Sequence, residues 1–225
     1  EKMKNLAHFV NVTLAENVAK ACSITKLSFV HISTDHLFSG ENSFIDEDEK
    51  PNPLNIYGKT KAEAENRVFE AYPKALVIRT NFFGWGTTYR KSFSDVIINS
   101  LRKNSDLNLF KDVFYTPTLI DTLALAVHDL IDIKASGIFN VVGDERISKY
   151  HFGLKIAEKF NLETSKIKKT IFSNEKYLVK RPLDMSLSNN KVCNILGRPL
   201  GNVEDHIIKF QSQEFKEPHQ TLRKL

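Results

Sequence analysis

Three side chains in residues 31–61 have the types and spacing to deliver a proton to a carbonyl oxygen. Tyr57 and Lys61 are four residues apart, so they lie on the same face of a helix. Thr34 follows a short apolar run, and its hydroxyl can bond to the same carbonyl oxygen. A free tyrosine, with a pKa of about 10, is a weak acid at neutral pH, but a nearby ammonium favours the phenolate. The trio therefore predicts acid catalysis by Tyr57, with Lys61 lowering its pKa.

The context of the Tyr-x-x-x-Lys pair carries this prediction, since the pair alone arises by chance in a lysine-rich chain. Along the sequence, an apolar strand leads into Ser-Thr-Asp, then a polar loop, and then a helix. Asn55 is placed to cap that helix, which is expected to begin near Tyr57 and to end before Pro73. Strand end and helix start would thus meet at one site.

Strand and helix patterns alternate along the first two thirds of the chain. Apolar spacing predicts helices over 4–22, 57–72, 92–103, 119–131 and 149–160, and strands over 27–33, 75–79, 107–110 and 137–142. This alternation favours an α/β fold, in which crossover helices connect the strands of a parallel sheet.

Composition narrows the class of protein. The chain has 225 residues, of which 41% are hydrophobic. That is enough for one sizeable core, or for a main domain with a small attachment. The net charge is +5, but the basic residues are spread along the chain, which disfavours nucleic acid as a partner. An anionic small molecule needs only one or two of these charges.

Other patterns argue against metal, membrane and export. Cys22, Cys193 and the seven histidines show no metal-ligand spacing, and two free thiols fit a reducing cytoplasm. No secretory signal opens the sequence, and no apolar run reaches the roughly 18 residues that a membrane span needs. We therefore expect a cytoplasmic protein.

The segment around the trio resembles the active-site segment of the extended short-chain dehydrogenases/reductases. It is most similar to the dTDP-4-dehydrorhamnose reductase branch, whose pattern is close to STDYVFxG followed by YGxxK. Here residues 33–40 read STDHLFSG and residues 57–61 read YGKTK. The similarity extends to about residue 210 through RTNF at 79–82, PT at 117–118, GIFN at 137–140 and RP at 181–182.

This resemblance implies a Rossmann-like parallel sheet whose N-terminal half is missing here, together with a small C-terminal α+β substrate lobe. The expected division places the catalytic segment in residues 1–145 and the lobe in 146–225, with parts of 80–120 interleaved. None of the nine glycines forms the G-x-x-G-x-x-G turn that holds a dinucleotide pyrophosphate. The preference between NADH and NADPH therefore cannot be read from this sequence.

The implied activity is reduction of a 4-keto nucleotide sugar by NADPH or NADH, in nucleotide-sugar biosynthesis of the dTDP-rhamnose type. Tyr57 would donate the proton, Lys61 would also bind the nicotinamide ribose, and Thr34 would hold the substrate oxygen. Asp35 lies beside Thr34 in the sequence and is expected to contact the substrate.

The resemblance also implies substrate contacts outside the trio. Phe82 occupies a position where the branch usually has tryptophan, and an aromatic ring there can pack on a sugar. Arg181 matches an arginine that contacts the substrate diphosphate, and a guanidinium suits that group. The alternative for Arg181 is a surface salt bridge to Asp184. An asparagine in the first helix, Asn11, would lie near the active site.

Two alternative functions stay open. A nucleotide-sugar epimerase or dehydratase could use the same scaffold, although His36 stands where related dehydratases have glutamate. A binding or regulatory subunit could keep the fold without turnover, which the absent glycine turn favours and the intact trio disfavours. A homodimer is possible in either case.

Overall fold

The computed structural model describes residues 3–172 and 179–216. The helices are α1 (Lys4–His8), a π-helical turn (Phe9–Thr13), α2 (Leu14–Thr25), α3 (Ile56–Ala71), α4 (Phe93–Arg102), α5 (Ile120–Asp132), α6 (Lys149–Lys159), a 3-10 turn (Thr164–Lys166), α7 (Asn190–Leu196) and α8 (Val203–Ser212). The strands are β1 (Val30–Ile32), β2 (Leu76–Arg79), β3 (Phe82–Phe83), β4 (Leu107–Phe110), β5 (Phe114–Tyr115), β6 (Thr118–Leu119), β7 (Gly137–Asn140), β8 (Ile147–Ser148) and β9 (Ile167–Thr170).

A parallel sheet in the order β1-β2-β7 is the frame of the molecule. The central strand β2 is buried along its whole length, as expected for an apolar run covered on both faces. His31 pairs with Val77, and Val77 pairs with Ile138. The predicted α/β fold with parallel strands and crossover helices is confirmed.

The predicted helix starts are set by side-chain caps. Asn55 accepts a hydrogen bond from the Gly58 backbone N–H over 2.9 Å, and Ser148 accepts one from the N–H of His151. Each cap satisfies an N–H group that has no partner inside its helix. Helix α3 therefore begins one residue before Tyr57 and presents that side chain in its first turn.

A second hydrophobic core lies beside the sheet. Strand pairs β4–β9 and β5–β8 and helices α4, α6 and α8 surround it. Its largest buried side chains are Ile97, Ile98, Tyr115, Phe152, Ile156 and Phe210. Residues from 83 to 210 contribute to this core. The division at residue 145 stays a prediction, and residues 173–178 and 217–225 of the expected lobe lie outside the described residues.

The first helical segment, made of α1, the π-helical turn and α2, exposes most of its apolar side chains. Its Val12 and Ala19 are buried, and the segment packs along α3. Five apolar side chains are 41–58% exposed: Leu6, Phe9, Val10, Leu14 and Val18. The helix is thus amphipathic as predicted, but its larger apolar side chains do not face α3.

Two absences concern the described ranges only. No helix within residues 3–172 and 179–216 is long and apolar enough to cross a membrane. Within the same ranges, no group of histidine, cysteine and acidic side chains could hold a metal ion.

Candidate active site

The loop after β1 places Thr34 and Asp35 at the carboxyl end of the sheet. The Ser33 N–H donates to the Ile78 carbonyl over 2.7 Å, which extends the strand ladder to the first residue of the motif. Thr34 and Asp35 are both buried. Ligands of open α/β sheets bind at this edge, where the strand ends and loops converge.

Gly58 lets α3 approach this loop closely. A Cβ atom at position 58 would lie 2.4 Å from the His36 carbonyl oxygen, a contact that no side chain can tolerate. The neighbouring Tyr57 is thereby brought against the loop, where its ring meets the His36 ring edge-on at 5.7 Å. A glycine directly after the tyrosine is thus a packing requirement of the site.

Tyr57 lies against the loop that carries Thr34, and it is about half exposed (48%). Burial of the hydroxyl raises the pKa of Tyr57, the nearby Thr34 hydroxyl opposes that rise, and the Asp35 charge adds to it. We expected Lys61 to lower this pKa. In the structure the net effect is a rise, so that expectation is wrong for the chain by itself.

Lys61 is held one helical turn away. Its Nζ donates to the Ile32 carbonyl over 2.6 Å and lies 3.3 Å from Nε2 of His31. Burial lowers the pKa of Lys61, and the Glu65 carboxylate opposes that shift. An ammonium has three donors, so two fixed contacts leave one for a ligand.

Asp35 is fixed by two side chains. Nδ2 of Asn81 donates to Oδ2 of Asp35 over 2.5 Å, and the Thr34 hydroxyl donates to Oδ1 over 3.2 Å. Asn81 was not predicted as a site residue. Its signal was its position, since it follows β2 at the same sheet edge that receives the β1 loop.

A buried ion pair between Arg79 and Glu65 lies next to the site residues. Arg79 donates to both Glu65 oxygens over 2.8–3.3 Å, and the Ser33 hydroxyl donates to the same carboxylate over 2.5 Å. Glu65 is four residues after Lys61, on the same face of α3. The ion pair joins β2, α3 and Ser33 at the start of the loop after β1, and the sequence patterns did not reveal it.

The two predicted substrate contacts outside the trio lie on accessible surface. Phe82 is 51% exposed, whereas its neighbour Phe83 is buried in the second core. Asp184 pairs with Arg146 over 2.6 Å, and no ion pair of Arg181 is found within the described residues. The alternative of an Arg181–Asp184 bridge is therefore wrong. Burial lowers the pKa of His36, and the Arg181 charge contributes to that lowering, so Arg181 lies within electrostatic reach of the site.

Asn11 is near the site without contacting the trio. It lies on the π-helical turn, and its Nδ2 donates to the Thr60 hydroxyl over 2.9 Å. The bond ties the first helix to α3 between Tyr57 and Lys61.

His31 gives a testable pH dependence. Burial, with the Lys61 charge adding to it, lowers the pKa of His31 from about 6.5 to about 4. The folded chain therefore favours the neutral ring, whereas the unfolded chain takes up a proton below about pH 6.5. The contribution of His31 to the free energy of unfolding is complete above pH 6.5 and is lost as the pH falls towards 4. The gap corresponds to about 3 kcal/mol. In urea unfolding, the free energy of unfolding of His31→Gln should decrease less between pH 6.5 and 5 than that of the unmodified protein.

The exposed His128 provides the control for that experiment. His128→Gln should leave the slope of stability against pH as it is in the unmodified protein. An unchanged slope in His31→Gln would contradict the assignment of the pH dependence to this ring.

The parallel sheet, the Thr34–Tyr57 pair at its carboxyl edge and the helical Tyr-x-x-x-Lys spacing define the class of the extended short-chain dehydrogenases/reductases. Within that class, the chain belongs to the RmlD substrate binding domain family, whose model matches residues 1–214.

Known relatives agree with this membership. The chain is 27% identical over 216 residues to the probable low-salt glycan biosynthesis reductase of Haloferax volcanii, covering 94% of this chain and 72% of that protein. It is 30% identical over 177 residues to methionine adenosyltransferase 2 subunit beta of Bos taurus, covering 75% and 52%. The structure of dTDP-4-dehydrorhamnose reductase from Bacillus anthracis in complex with NADP matches with a TM-score of 0.87 and 25% identity, over 95% and 75% of the two chains.

Proposed function

We propose that this protein reduces the 4-keto group of a nucleotide-linked sugar, using NADPH or NADH, as part of nucleotide-sugar biosynthesis. The observation that carries the proposal is the position of Tyr57, which is half exposed at the carboxyl edge of the sheet. Its ring lies against the loop that carries Thr34, and the Thr34 hydroxyl is near enough to the phenol to affect its pKa. A phenol and a hydroxyl at one point can hold and protonate a single ketone oxygen.

The chain's own residues perform the proton half of the reaction. Thr34 donates a hydrogen bond to the ketone oxygen once the substrate takes the place of its present partner. The raised pKa of Tyr57, caused mainly by burial, keeps the phenol protonated and ready to donate. As the carbonyl carbon is reduced, the Tyr57 proton passes to the oxygen, and the product is an alcohol.

The residues present fit the nicotinamide end of the cofactor, which supplies the hydride when bound. Lys61 retains a donor beyond its contacts with Ile32 and His31, and that donor can bind a ribose hydroxyl. An ammonium there also favours the phenolate that Tyr57 becomes after proton transfer. Tyr57 and Lys61 are therefore proposed as the cofactor-binding residues of this chain.

Substrate binding is assigned to four residues. Thr34 and Asp35 face the reacting sugar, the exposed Phe82 ring packs on a sugar or base, and Arg181 binds the diphosphate. No acidic partner of Arg181 is found within the described residues, which leaves its guanidinium available for an anion. A cytoplasmic location and a homodimer stay predictions.

The test is a reductase assay. The protein is incubated with a nucleoside diphosphate 4-keto-6-deoxy sugar and NADPH or NADH, and cofactor oxidation is followed with product analysis. We expect stoichiometric formation of the 4-hydroxy sugar nucleotide. Conversion of a nucleotide sugar to its epimer without net cofactor oxidation would instead establish the epimerase alternative.

The 30% identity to an adenosyltransferase subunit beta favours a second candidate function, that of a binding subunit without turnover. The same assay separates the two, because a subunit of that kind would bind NADPH without oxidising it in the presence of the keto sugar. The position of Tyr57 against the loop that carries Thr34 and the Lys61 contacts support the reductase.

A further inference from the structure

A half-buried lysine lies near the loop after β1, and no ion pair of its side chain is found in the part of the chain that the structure describes. Lys149 is the first residue of α6, and its Nζ lies 3.3 Å from the centre of the Tyr115 ring and 4.9 Å from that of Phe93. Across the described residues, this ammonium makes no ion pair or hydrogen bond. Two aromatic faces attract a cation, but they leave its three N–H donors unused.

The ring beneath this lysine carries a second unused donor. Tyr115 is 1% exposed, and its hydroxyl has no hydrogen-bond partner among the residues described. Burial raises the pKa of Tyr115 well above its ordinary value, with the Asp35 charge adding to the rise. The hydroxyl therefore stays protonated and can donate. A buried donor without a partner is costly, by about 1–3 kcal/mol, which points to a partner that binds there.

Both groups lie within electrostatic reach of Asp35, in the loop after β1. Burial lowers the pKa of Lys149 to about 8, the Asp35 charge opposes this shift, and the Arg181 charge adds to it. Lys149 and Arg181 both contribute to the lowered pKa of His36, whose Nδ1 is also buried and without a partner in the described chain. The only acid among these groups, Asp35, is already bonded to Asn81 and Thr34.

Two cations and a neutral donor thus lie near the loop after β1, whose one carboxylate among these groups, Asp35, is already engaged by Asn81 and Thr34. We propose that Lys149 and Tyr115 form a binding subsite for an oxyanion of the substrate, with Arg181 as its second cation. Lys149 supplies a charge-assisted bond, Tyr115 a neutral one, and the two rings hold the ammonium in place. The inference rests on the proposed function in taking the ligand to be a nucleotide sugar.

The oxyanion can come from two parts of such a ligand, the diphosphate or a carboxylate on the sugar. Three probes separate them: inorganic pyrophosphate, UDP-glucose and UDP-glucuronate, which differs from UDP-glucose only in its sugar carboxylate. Affinities for the full chain are measured by calorimetry at low ionic strength, since screening weakens such contacts.

Three variants give the test its controls. Lys149→Met removes the charge and keeps the chain length, and Tyr115→Phe removes only the hydroxyl. Lys155→Met is the control for Lys149→Met. It makes the same lysine-to-methionine change on α6, at a lysine for which no such ring contact is found among the described residues. Melting temperatures show that each variant is folded.

We expect Lys149→Met to weaken binding of at least one probe by about tenfold or more and Tyr115→Phe by a few fold, with Lys155→Met unchanged. An effect on pyrophosphate and both nucleotide sugars assigns the subsite to the diphosphate. An effect on UDP-glucuronate alone assigns it to a sugar carboxylate. Equal affinities in folded Lys149→Met and unmodified protein would overturn the inference, as would the absence of binding of all three probes.

The outcome is distinguishable from failure of the proposed function. Loss of probe binding in Lys149→Met together with an inactive unmodified protein would keep the subsite and remove the reductase. If the protein is an active reductase but its affinities for the three probes do not depend on Lys149, the proposed function stands and the subsite is ruled out.

Discussion

Replacing Tyr57 with phenylalanine is expected to lower the turnover of a 4-keto nucleotide sugar by about 10²–10⁴-fold, the range that positioned acid catalysis contributes. The substitution keeps the ring that meets His36 edge-on and removes only the hydroxyl. Nicotinamide binding should be largely retained, because Lys61 is held by Ile32 and His31 rather than by Tyr57. Steady-state kinetics and a cofactor titration measure the two effects.

Tyr72→Phe provides the matched control, since Tyr72 directly follows the same helix and takes no part in the site. Its turnover should equal that of the unmodified protein. Near-normal turnover in Tyr57→Phe would remove Tyr57 as the proton donor, whatever happens to the Michaelis constant.

Replacing Arg79 with methionine is expected to destabilise the fold by about 3–5 kcal/mol, because it leaves the Glu65 carboxylate buried without its cation. Both side chains are at least 95% buried, and the carboxylate would keep only the Ser33 hydroxyl. Urea unfolding monitored by circular dichroism gives the free energy of unfolding.

An exposed pair of the same type serves as the comparison. Arg67 donates to Glu70 over 3.1 Å with both side chains solvated, so Arg67→Met should cost about 0.5 kcal/mol or less. The double variant Glu65→Leu with Arg79→Met should be more stable than Arg79→Met alone, since it removes the uncompensated charge. A loss of under 1 kcal/mol in Arg79→Met would show that the pair does not support the site as described.

Local patterns were sufficient for the elements that carry the trio. The apolar run before Ser33, the Asn55 cap and the helical spacing of Tyr57 and Lys61 all act over a few residues. The helix starts near Tyr57 and at Lys149 therefore agree with prediction. Strand pairing followed from alternation, since helices between strands favour a parallel sheet.

The electrostatics of the site could not be predicted in the same way. A lysine four residues from a tyrosine was expected to lower the phenol pKa. In the structure, burial is the largest influence and raises the pKa of Tyr57, and the Lys61 ammonium is directed to the Ile32 carbonyl. Whether burial or a nearby charge dominates the pKa of Tyr57 depends on distances and desolvation, and the sequence spacing determines neither of these.

By itself, the sequence determined the type of fold and placed Thr34 at a strand end and Tyr57 and Lys61 on one helix face, because short-range periodicity and capping decide those features. Only the tertiary structure decided that Arg79 neutralises Glu65, that Asn81 holds Asp35, and that Lys149 rests on Tyr115. Each of these contacts joins residues from different strands and helices. Their partners are chosen by packing in three dimensions, where a buried charge or donor must find a group of matching chemistry.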